Sequence, residues 1–158
     1  MDVYQQLPEE LRDALRSFEN GALDRIVARK RPEDFVALRR LLNGPSDPND
    51  RQRAIYALGR WGDPSVVPDI VSILPALKES HAYTAIEALG RLGTPDARVV
   101  VESYANHPSP HIRKFVVEAL TRIADPAARG TLEKMARGDS AEWVRDLAAR
   151  RMKEKLQK

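Results

Sequence analysis

Apolar residues recur along most of this chain with the spacing of α-helices. Starting at Ala54, they occupy positions i, i+1, i+3, i+4 and i+7, which fall on one face of a helix. The same arrangement starts again at Ala85 and at Val116. A second apolar stripe follows in each of the first two cases, formed by Val66, Ile70, Ile73 and Leu74 and then by Ala97, Val101, Tyr104 and Ala105. The pattern predicts successive pairs of helices.

The predicted helix pairs repeat with a constant step of 31 residues. The octapeptide of residues 57–64, ALGRWGDP, returns at 88–95 as ALGRLGTP and at 119–126 as ALTRIADP. Two further columns keep this step, Ile55, Ile86 and Val117 and then Ile70, Val101 and Leu132. Within the octapeptide, arginine recurs as Arg60, Arg91 and Arg122. One small pair cannot bury both of its stripes, whereas stacked pairs can. We therefore predict an all-α fold, an α-solenoid (superhelix) of stacked antiparallel helix pairs, since a globular bundle needs no constant period.

Small and turn-forming residues mark the boundaries inside each repeat. Gly62 and Gly93 follow the first helix, where a left-handed glycine can end it. A short polar residue then precedes proline, the pattern of an N-cap with proline at the first helical position, at Asp63-Pro64, Thr94-Pro95 and Asp125-Pro126. Pro68 predicts an irregular start to one second helix. Ala57, Ala88 and Ala119 predict close helix approach.

The repeated segment resembles the short HEAT-like repeats first associated with phycobiliprotein lyases. The likeness rests on the octapeptide core and on a basic residue early in the first helix, Arg51 and Arg113, although Ala82 departs from this pattern. It covers residues 47 to 140 and implies the solenoid fold. In that family the repeat subunits act with partner subunits on bilin and phycobiliprotein, but most proteins that carry the repeat are not lyases.

We predict that residues 1–158 form a single HEAT-like repeat domain in which terminal segments cover the two open ends of the stack. Residues 1–46 are assigned to an N-terminal capping helix over 8–19, ended by Asn20-Gly21, and a degenerate repeat over 21–44. Residues 47–140 hold three clear repeats, and 141–158 form a C-terminal capping helix. We expect Trp61 in the core and Trp143, Leu147 and Leu156 as end-capping residues. The alternative for Trp143 is an exposed binding anchor.

The amino-acid composition excludes several kinds of catalytic and metal-binding site. The 158 residues include no cysteine, which excludes disulfides, thiolate metal sites and cysteine nucleophiles. The three histidines, His81, His107 and His111, show no metal-ligand spacing, and none is followed by glutamate as in the di-iron hydroxylases built from such repeats. No glycine-rich phosphate loop follows a strand. We expect no catalytic, cofactor-binding or metal-binding residues and predict that the protein is not an enzyme.

The ends and the apolar content of the chain predict its location. The first residues carry an acidic segment and no apolar core of a secretory signal. No apolar run approaches the roughly 20 residues that span a bilayer. We expect a cytoplasmic, monomeric protein that does not bind membranes.

Charged residues suggest where a partner binds. The second helices usually line the concave side in this repeat family, and their outward columns include two i,i+4 pairs, Arg98–Glu102 and Arg129–Glu133. These pairs form either a surface salt-bridge ladder worth tenths of a kcal/mol per pair or a mixed-charge groove that recognises a protein segment. We predict a non-enzymatic scaffold or adaptor that binds a protein partner through this concave surface.

Two other functions remain open from the sequence. The lyase resemblance implies an accessory subunit of a bilin lyase or of another protein-modifying enzyme. Basic residues near both ends, around a more acidic middle, suggest contacts to a phosphate backbone. We favour solvated helix ends over this reading, and the shortage of interleaved aromatic residues argues against nucleic acid as a partner. These basic residues are Arg25, Arg29, Lys30 and Arg31, and Arg150, Arg151, Lys153, Lys155 and Lys158.

Overall fold

The computed structural model describes residues 3–17 and 19–156, and within them the chain folds into α-helices joined by short connections. Short 3-10 turns cover Val3–Gln6, Pro64–Val66 and Leu74–Ala76. The α-helices are α1 (Glu9–Arg16), α2 (Asn20–Arg29), α3 (Pro32–Asn43), α4 (Pro48–Trp61), α5 (Val67–Ile73), α6 (Glu79–Leu92), α7 (Pro95–Ser103), α8 (Pro110–Ile123), α9 (Pro126–Gly138) and α10 (Glu142–Leu156).

These helices form two layers. The first helices of successive pairs, α2, α4, α6, α8 and α10, pack side by side in chain order, and α3, α5, α7 and α9 form the second layer. The repeated apolar positions meet in one continuous core, in which Ile55, Ile86 and Val117 are fully buried. The α-solenoid prediction is confirmed, because each pair buries its apolar stripes against its neighbours.

The predicted turn chemistry is present at each repeat boundary. Asp63, Thr94 and Asp125 accept hydrogen bonds from the backbone N–H groups of residues 65, 97 and 128 at 2.9, 3.1 and 2.7 Å. Gly62 and Gly93 end α4 and α6 with φ of 80° and 66°, in the left-handed region. In the third copy Ala124 adopts the same conformation with φ of 59°, a conformation that is costlier for a residue with a Cβ atom.

The second helix of the first clear repeat begins irregularly, as Pro68 predicts, and it also ends in a 3-10 turn, which was not predicted. A 3-10 turn from Pro64 leads into α5, and a further 3-10 turn begins at Leu74, just before Pro75. Val66, Ile70 and Leu74 are nevertheless buried along one side. Burial of the apolar stripe thus fixes the path of this segment although proline removes regular hydrogen bonds.

The N-terminal prediction is wrong in its boundaries. The first α-helix ends at Arg16 instead of residue 19, and Ser17 has extended backbone. Asn20 and Gly21 begin α2 instead of ending α1. The predicted apolar face is present, since Leu7, Leu11 and Leu15 are buried; Phe18, assigned to the same face, lies outside the described residues.

The two tryptophans differ from their predicted placement. Trp61 is partly buried at the edge of the core, where its ring lies 5.4 Å from the Phe35 ring and 5.0 Å from the Lys30 ammonium. Trp143 is 44% exposed, so it does not close the end of the stack as a buried cap. Its ring lies 5.7 Å from that of His111. Leu147, the second residue predicted at this end, is buried together with Val144. The side chain of Leu156, the third, lies outside the described part of the structure.

Glycine sets the distance between neighbouring first helices. Gly59 in α4 faces Ala88 in α6, and a Cβ atom placed on Gly59 would lie 2.6 Å from the Ala88 Cβ and 2.8 Å from its Cα. Gly90 in α6 faces Ala119 in α8 with corresponding distances of 2.6 and 2.7 Å. Each interface therefore joins the glycine of one repeat to the alanine of the next. Ala88 and Ala119 confirm the predicted close approach, whereas the need for glycine opposite them was not predicted.

We expect Gly90→Ala to lower the free energy of unfolding by roughly 1–3 kcal/mol, because the new methyl group meets backbone and forces α6 and α8 apart. Chemical denaturation measures this loss. The matched control is Gly130→Ala in α9, where nothing lies within 4 Å of the added Cβ. Alanine should raise stability there by about 0.5–1 kcal/mol. Equal effects at the two sites would contradict the packing constraint.

Candidate functional site

The second-helix residues Arg98 and Glu102 belong to a hydrogen-bonded network between two repeats. Arg98 Nη1 lies 2.6 Å from Glu102 Oε2, and Arg98 Nε lies 3.0 Å from Asp125 Oδ2 at the start of α9. The other Glu102 oxygen accepts a hydrogen bond from the Thr131 hydroxyl at 3.0 Å. The Arg98 and Glu102 side chains are only about one-fifth exposed, at 19% and 22%. This pair therefore joins α7 to α9.

Arg129 and Glu133, one repeat further along, present their charges to solvent. Arg129 Nε lies 3.4 Å from Glu133 Oε1 within α9, and the two side chains are 54% and 38% exposed. A surface pair of this kind contributes little to stability. Of the four predicted site residues, these two thus remain accessible to a partner, and the other two hold neighbouring helices together.

A second charged surface lies at the carboxyl ends of the first helices. Arg60, Arg91 and Arg122, in the last turns of α4, α6 and α8, line one open groove of about 560 Å³ together with Lys30. We call this the arginine groove. Its arginines are the column with the 31-residue step noted in the sequence, where it indicated only the repeat period. The same step could have revealed the groove, because equivalent positions on stacked helices align.

Two carboxylates partly balance the arginine groove. Arg60 Nε lies 2.6 Å from Asp24 Oδ1, and Arg91 Nη2 lies 2.9 Å from Glu87 Oε1. Arg122 is exposed and has no ion-pair partner among the described residues. The Lys30 ammonium lies over the Trp61 ring and donates a hydrogen bond to the Trp61 carbonyl. Cations thus remain in excess along the groove.

The last interface between first helices is less closely packed. Thr121 occupies the position of Gly59 and Gly90 in the third copy of the repeat, and Arg151 of α10 lines the same cleft as Thr121. A cleft of about 200 Å³ is found here, with Leu120, Leu132 and Met152 in its walls. Arg151 is held by Glu118 at 2.7 Å and Glu154 at 2.9 Å. Larger residues at this contact accompany the opening of the stack.

Comparison with protein families agrees with the repeat found in the sequence. Residues 35–98 and 73–153 both match the sequence profile of HEAT repeats, and together these segments span most of the chain. The chain belongs to the HEAT repeat family. This membership accounts for the stacked helix pairs, and the expected HEAT-like repeats are confirmed.

Among solved structures, this HEAT repeat protein is similar to the complex of CpcE and CpcF of phycocyanin lyase from Nostoc sp. PCC7120. The match has a TM-score of 0.71 and covers 95% of each chain, at 16% sequence identity. At that identity the likeness shows the fold alone. A comparison with curated protein sequences gives no significant match.

Arg113, the basic residue early in the first helix of the third repeat, forms a buried ion pair. Arg113 Nε and Nη2 each donate to one carboxylate oxygen of Asp139 at 2.8 Å, and both side chains are less than one-tenth exposed. Arg113 also donates to the carbonyls of His107 and Pro108 at 2.7 and 3.1 Å. The guanidinium thus ties α8 to the connections before it and before α10.

The three histidines lie in the first turn of α6, in the turn before α8 and in the first turn of α8. His107 accepts a hydrogen bond from the Ser109 backbone N–H through Nδ1 at 3.1 Å, which orders the turn before α8. His111 packs beside Trp143, and His81 lies in the first turn of α6. In residues 3–17 and 19–156, no group of three or more His, Cys, Asp or Glu is arranged to hold a metal ion. No helix in that part of the chain is long and apolar enough to cross a membrane.

Four of the basic residues near the two ends, Arg29, Arg31, Arg150 and Arg151, form ion pairs within the protein. Arg29 and Arg31 both contact Glu10 of α1. At the other end, Arg150 lies 3.9 Å from Glu154, and Arg151 bridges the same carboxylate and Glu118. These contacts lower the net positive charge that either end offers to a polyanion.

We expect Arg113→Ala to lower the free energy of unfolding by about 3–5 kcal/mol, because it leaves the buried Asp139 carboxylate unpaired. Chemical denaturation at pH 7 checks this value. The control is Arg129→Ala, which removes an exposed i,i+4 pair and should cost only a few tenths of a kcal/mol. Similar losses in the two variants would contradict the stabilising role assigned to the buried pair.

The same pair predicts a pH dependence. Burial alone raises the pKa of Asp139, but hydrogen bonds from Arg113 and the Ala141 backbone N–H, with the nearby arginine charges, hold that pKa below its ordinary value of 3.8. A carboxyl with a lowered pKa in the folded state stabilises the fold fully above its ordinary pKa. Its contribution is lost as the pH falls through the lowered value. The stability difference between wild type and Asp139→Asn should therefore shrink below pH 4.

Proposed function

We propose that this HEAT repeat protein is a non-enzymatic, cytoplasmic interaction module that binds a partner protein through its second helices. The observation that carries the proposal is a stack of helix pairs fixed by backbone-level Gly–Ala contacts, with equivalent side chains aligned at a constant step. Such a stack offers an extended, preorganised surface, which lowers the entropy lost on binding.

The two charged pairs of the second helices have different roles in this proposal. Arg98 and Glu102, tied to Asp125 and Thr131, hold α7 and α9 in position. Arg129 and Glu133 contact the partner, because they are the more exposed pair and their charged groups form no hydrogen bond or ion pair outside α9 within the described residues. A mixed-charge patch of this kind selects partners by charge complementarity more than by affinity.

The test is a charge exchange, Arg129→Glu with Glu133→Arg, which keeps the net charge and the i,i+4 pair. Tagged wild type and variant are used to capture proteins from native lysate, followed by quantitative mass spectrometry. We expect at least one partner to be depleted about tenfold with the variant. The control exchange, Glu142→Arg with Arg150→Glu on α10, should retain that partner. Identical partner sets for wild type and the Arg129/Glu133 variant would overturn the assignment of this surface.

A second candidate function is an accessory subunit of a bilin lyase or of another protein-modifying enzyme. It is supported by the likeness to the complex of CpcE and CpcF of phycocyanin lyase, which extends over nearly the full length of both chains. In this role too the repeat surface would bind proteins, and a partner subunit would complete the active assembly.

The lyase candidate is tested by incubating the protein with bilin and apo-phycobiliprotein, with and without a partner subunit encoded beside it. If the candidate is correct, a covalent adduct forms with the partner and is detected by denaturing electrophoresis with bilin fluorescence. Omitting this protein from the mixture provides the control. No adduct in any mixture would remove the bilin lyase candidate and leave the adaptor proposal standing.

A further inference from the structure

We propose that the arginine groove binds an acidic segment of a partner protein in an extended, polyproline II conformation. The inference rests on the proposed interaction role but concerns a different surface, at the carboxyl ends of the first helices. It identifies the chemistry of the bound segment, with carboxylates at every third residue, which pair with Arg60, Arg91 and Arg122.

The groove presents its arginines at a regular spacing. The three residues are equivalent in successive first helices, and those helices pack in direct contact through Gly59–Ala88 and Gly90–Ala119. Packed helices lie roughly 8–10 Å apart. The arginine anchors therefore form a line with about that step, and Lys30 of the α2 end continues the groove.

This step matches one backbone conformation of a peptide. A polyproline II segment rises about 3.1 Å per residue with three residues per turn, so residues i, i+3 and i+6 lie on one side about 9 Å apart. A β-strand would place residues i and i+3 on opposite sides. Acidic residues at every third position of a polyproline II segment thus meet successive arginines. Arginine suits this role because its planar group pairs with a carboxylate through two hydrogen bonds.

Within the groove, two of the arginines already pair with carboxylates of the protein itself, as they would with carboxylates of the ligand. Asp24 contacts Arg60 and Glu87 contacts Arg91, whereas Arg122 is exposed and without an ion-pair partner among the described residues. An incoming carboxylate can pair with Arg122 directly and share or replace the internal carboxylates at the other two sites. Because exposed charges are screened by salt, binding should weaken as ionic strength rises.

Two features favour a peptide over nucleic acid. Asp24 and Glu87 line or flank the groove and would repel a continuous phosphate backbone. The residues that line the groove include no aromatic ring on which a base could stack. Carboxylates spaced by two uncharged residues can instead meet the arginines and leave room for Asp24 and Glu87.

The stabilising effect of a cation at a helix C-terminus does not by itself explain why the three arginines line one groove. Each arginine lies in the last turn of its helix, where a cation interacts favourably with the helix dipole by about 0.3–1 kcal/mol. That effect requires only a cation near the helix end. It does not require the three side chains to share one groove with Lys30.

The experiment uses the full chain and a labelled peptide with the sequence EPPEPPEPP, measured by fluorescence anisotropy at low salt. The register control is EEEPPPPPP, with the same composition, and the charge control is QPPQPPQPP. We expect EPPEPPEPP to bind at least about tenfold more tightly than either control. Equal binding of EPPEPPEPP and EEEPPPPPP would overturn the spacing argument, and no binding of EPPEPPEPP would overturn the proposal.

Arginine variants test the site itself. Arg60→Gln/Arg91→Gln/Arg122→Gln should weaken peptide binding about tenfold or more, as expected for three exposed ion pairs. Arg40→Gln/Arg137→Gln/Arg150→Gln removes the same charge from exposed positions outside the groove and should change binding less than twofold. Equal losses in the two triple variants would show only a general charge effect and contradict the site. Circular dichroism verifies that both variants are folded.

Two further measurements distinguish peptide binding in the groove from nucleic-acid binding and from binding at the second-helix surface. A single-stranded oligonucleotide or a DNA duplex that binds more tightly than EPPEPPEPP, and loses affinity in the groove variant, would overturn the peptide assignment in favour of nucleic acid. The Arg129→Glu/Glu133→Arg variant should bind EPPEPPEPP like wild type. If this variant still binds the peptide, the groove proposal stands whether or not the variant has lost its captured partners. The groove is therefore tested independently of the second-helix surface.

Discussion

The contact between a glycine of one repeat and an alanine of the next determines how the helix layers of this protein are arranged. At Gly59–Ala88 and Gly90–Ala119 the first helices approach so closely that an added methyl group would overlap backbone. Close approach brings the apolar stripes of neighbouring pairs into one core and aligns their outward side chains. Both charged surfaces of the protein depend on this alignment. Where Thr121 and Arg151 occupy the contact, a cleft opens instead.

Charged residues serve two different purposes in the stack. The buried Arg113–Asp139 pair and the Arg98–Glu102–Asp125 network link elements of successive repeats, and their charges are already satisfied. Arg122 and Arg129 lie at exposed positions and remain available to a partner. Similar residue types at related positions therefore differ in role because their burial differs. Sequence spacing alone does not determine burial at that level.

Much of the fold could be predicted because the same apolar positions, helix caps and turn residues recur in each repeat. The 31-residue step, the Asp-Pro and Thr-Pro caps and the left-handed Gly62 and Gly93 all appear in the structure as expected. The N-terminal region has only one imperfect copy of the pattern, and there the helix boundaries around Ser17 and Asn20 were wrong. Trp143 was misplaced because apolarity predicts burial but not which side of the last helix faces outward.

The candidate site was predicted less completely than the fold. The columns containing Arg98 and Arg129 were found from their spacing, but the contact of Arg98 with Asp125 crosses two helices and needs three-dimensional coordinates. The arginine column was visible in the sequence, whereas the groove that it lines depends on helix ends from four repeats. Spacing identifies which residues align, and packing decides which of them a partner can reach.

The repeat contact also bears on how such a protein changes its length during evolution. The α4–α6 and α6–α8 interfaces use glycine on one side and alanine on the other, and the 31-residue unit between them carries both halves. A unit duplicated between residues 62 and 93 would present its own alanine to the preceding glycine and its own glycine to the following alanine. No compensating substitution is needed at either new junction. The array can therefore lengthen by gene duplication while every added unit extends the arginine column by one member.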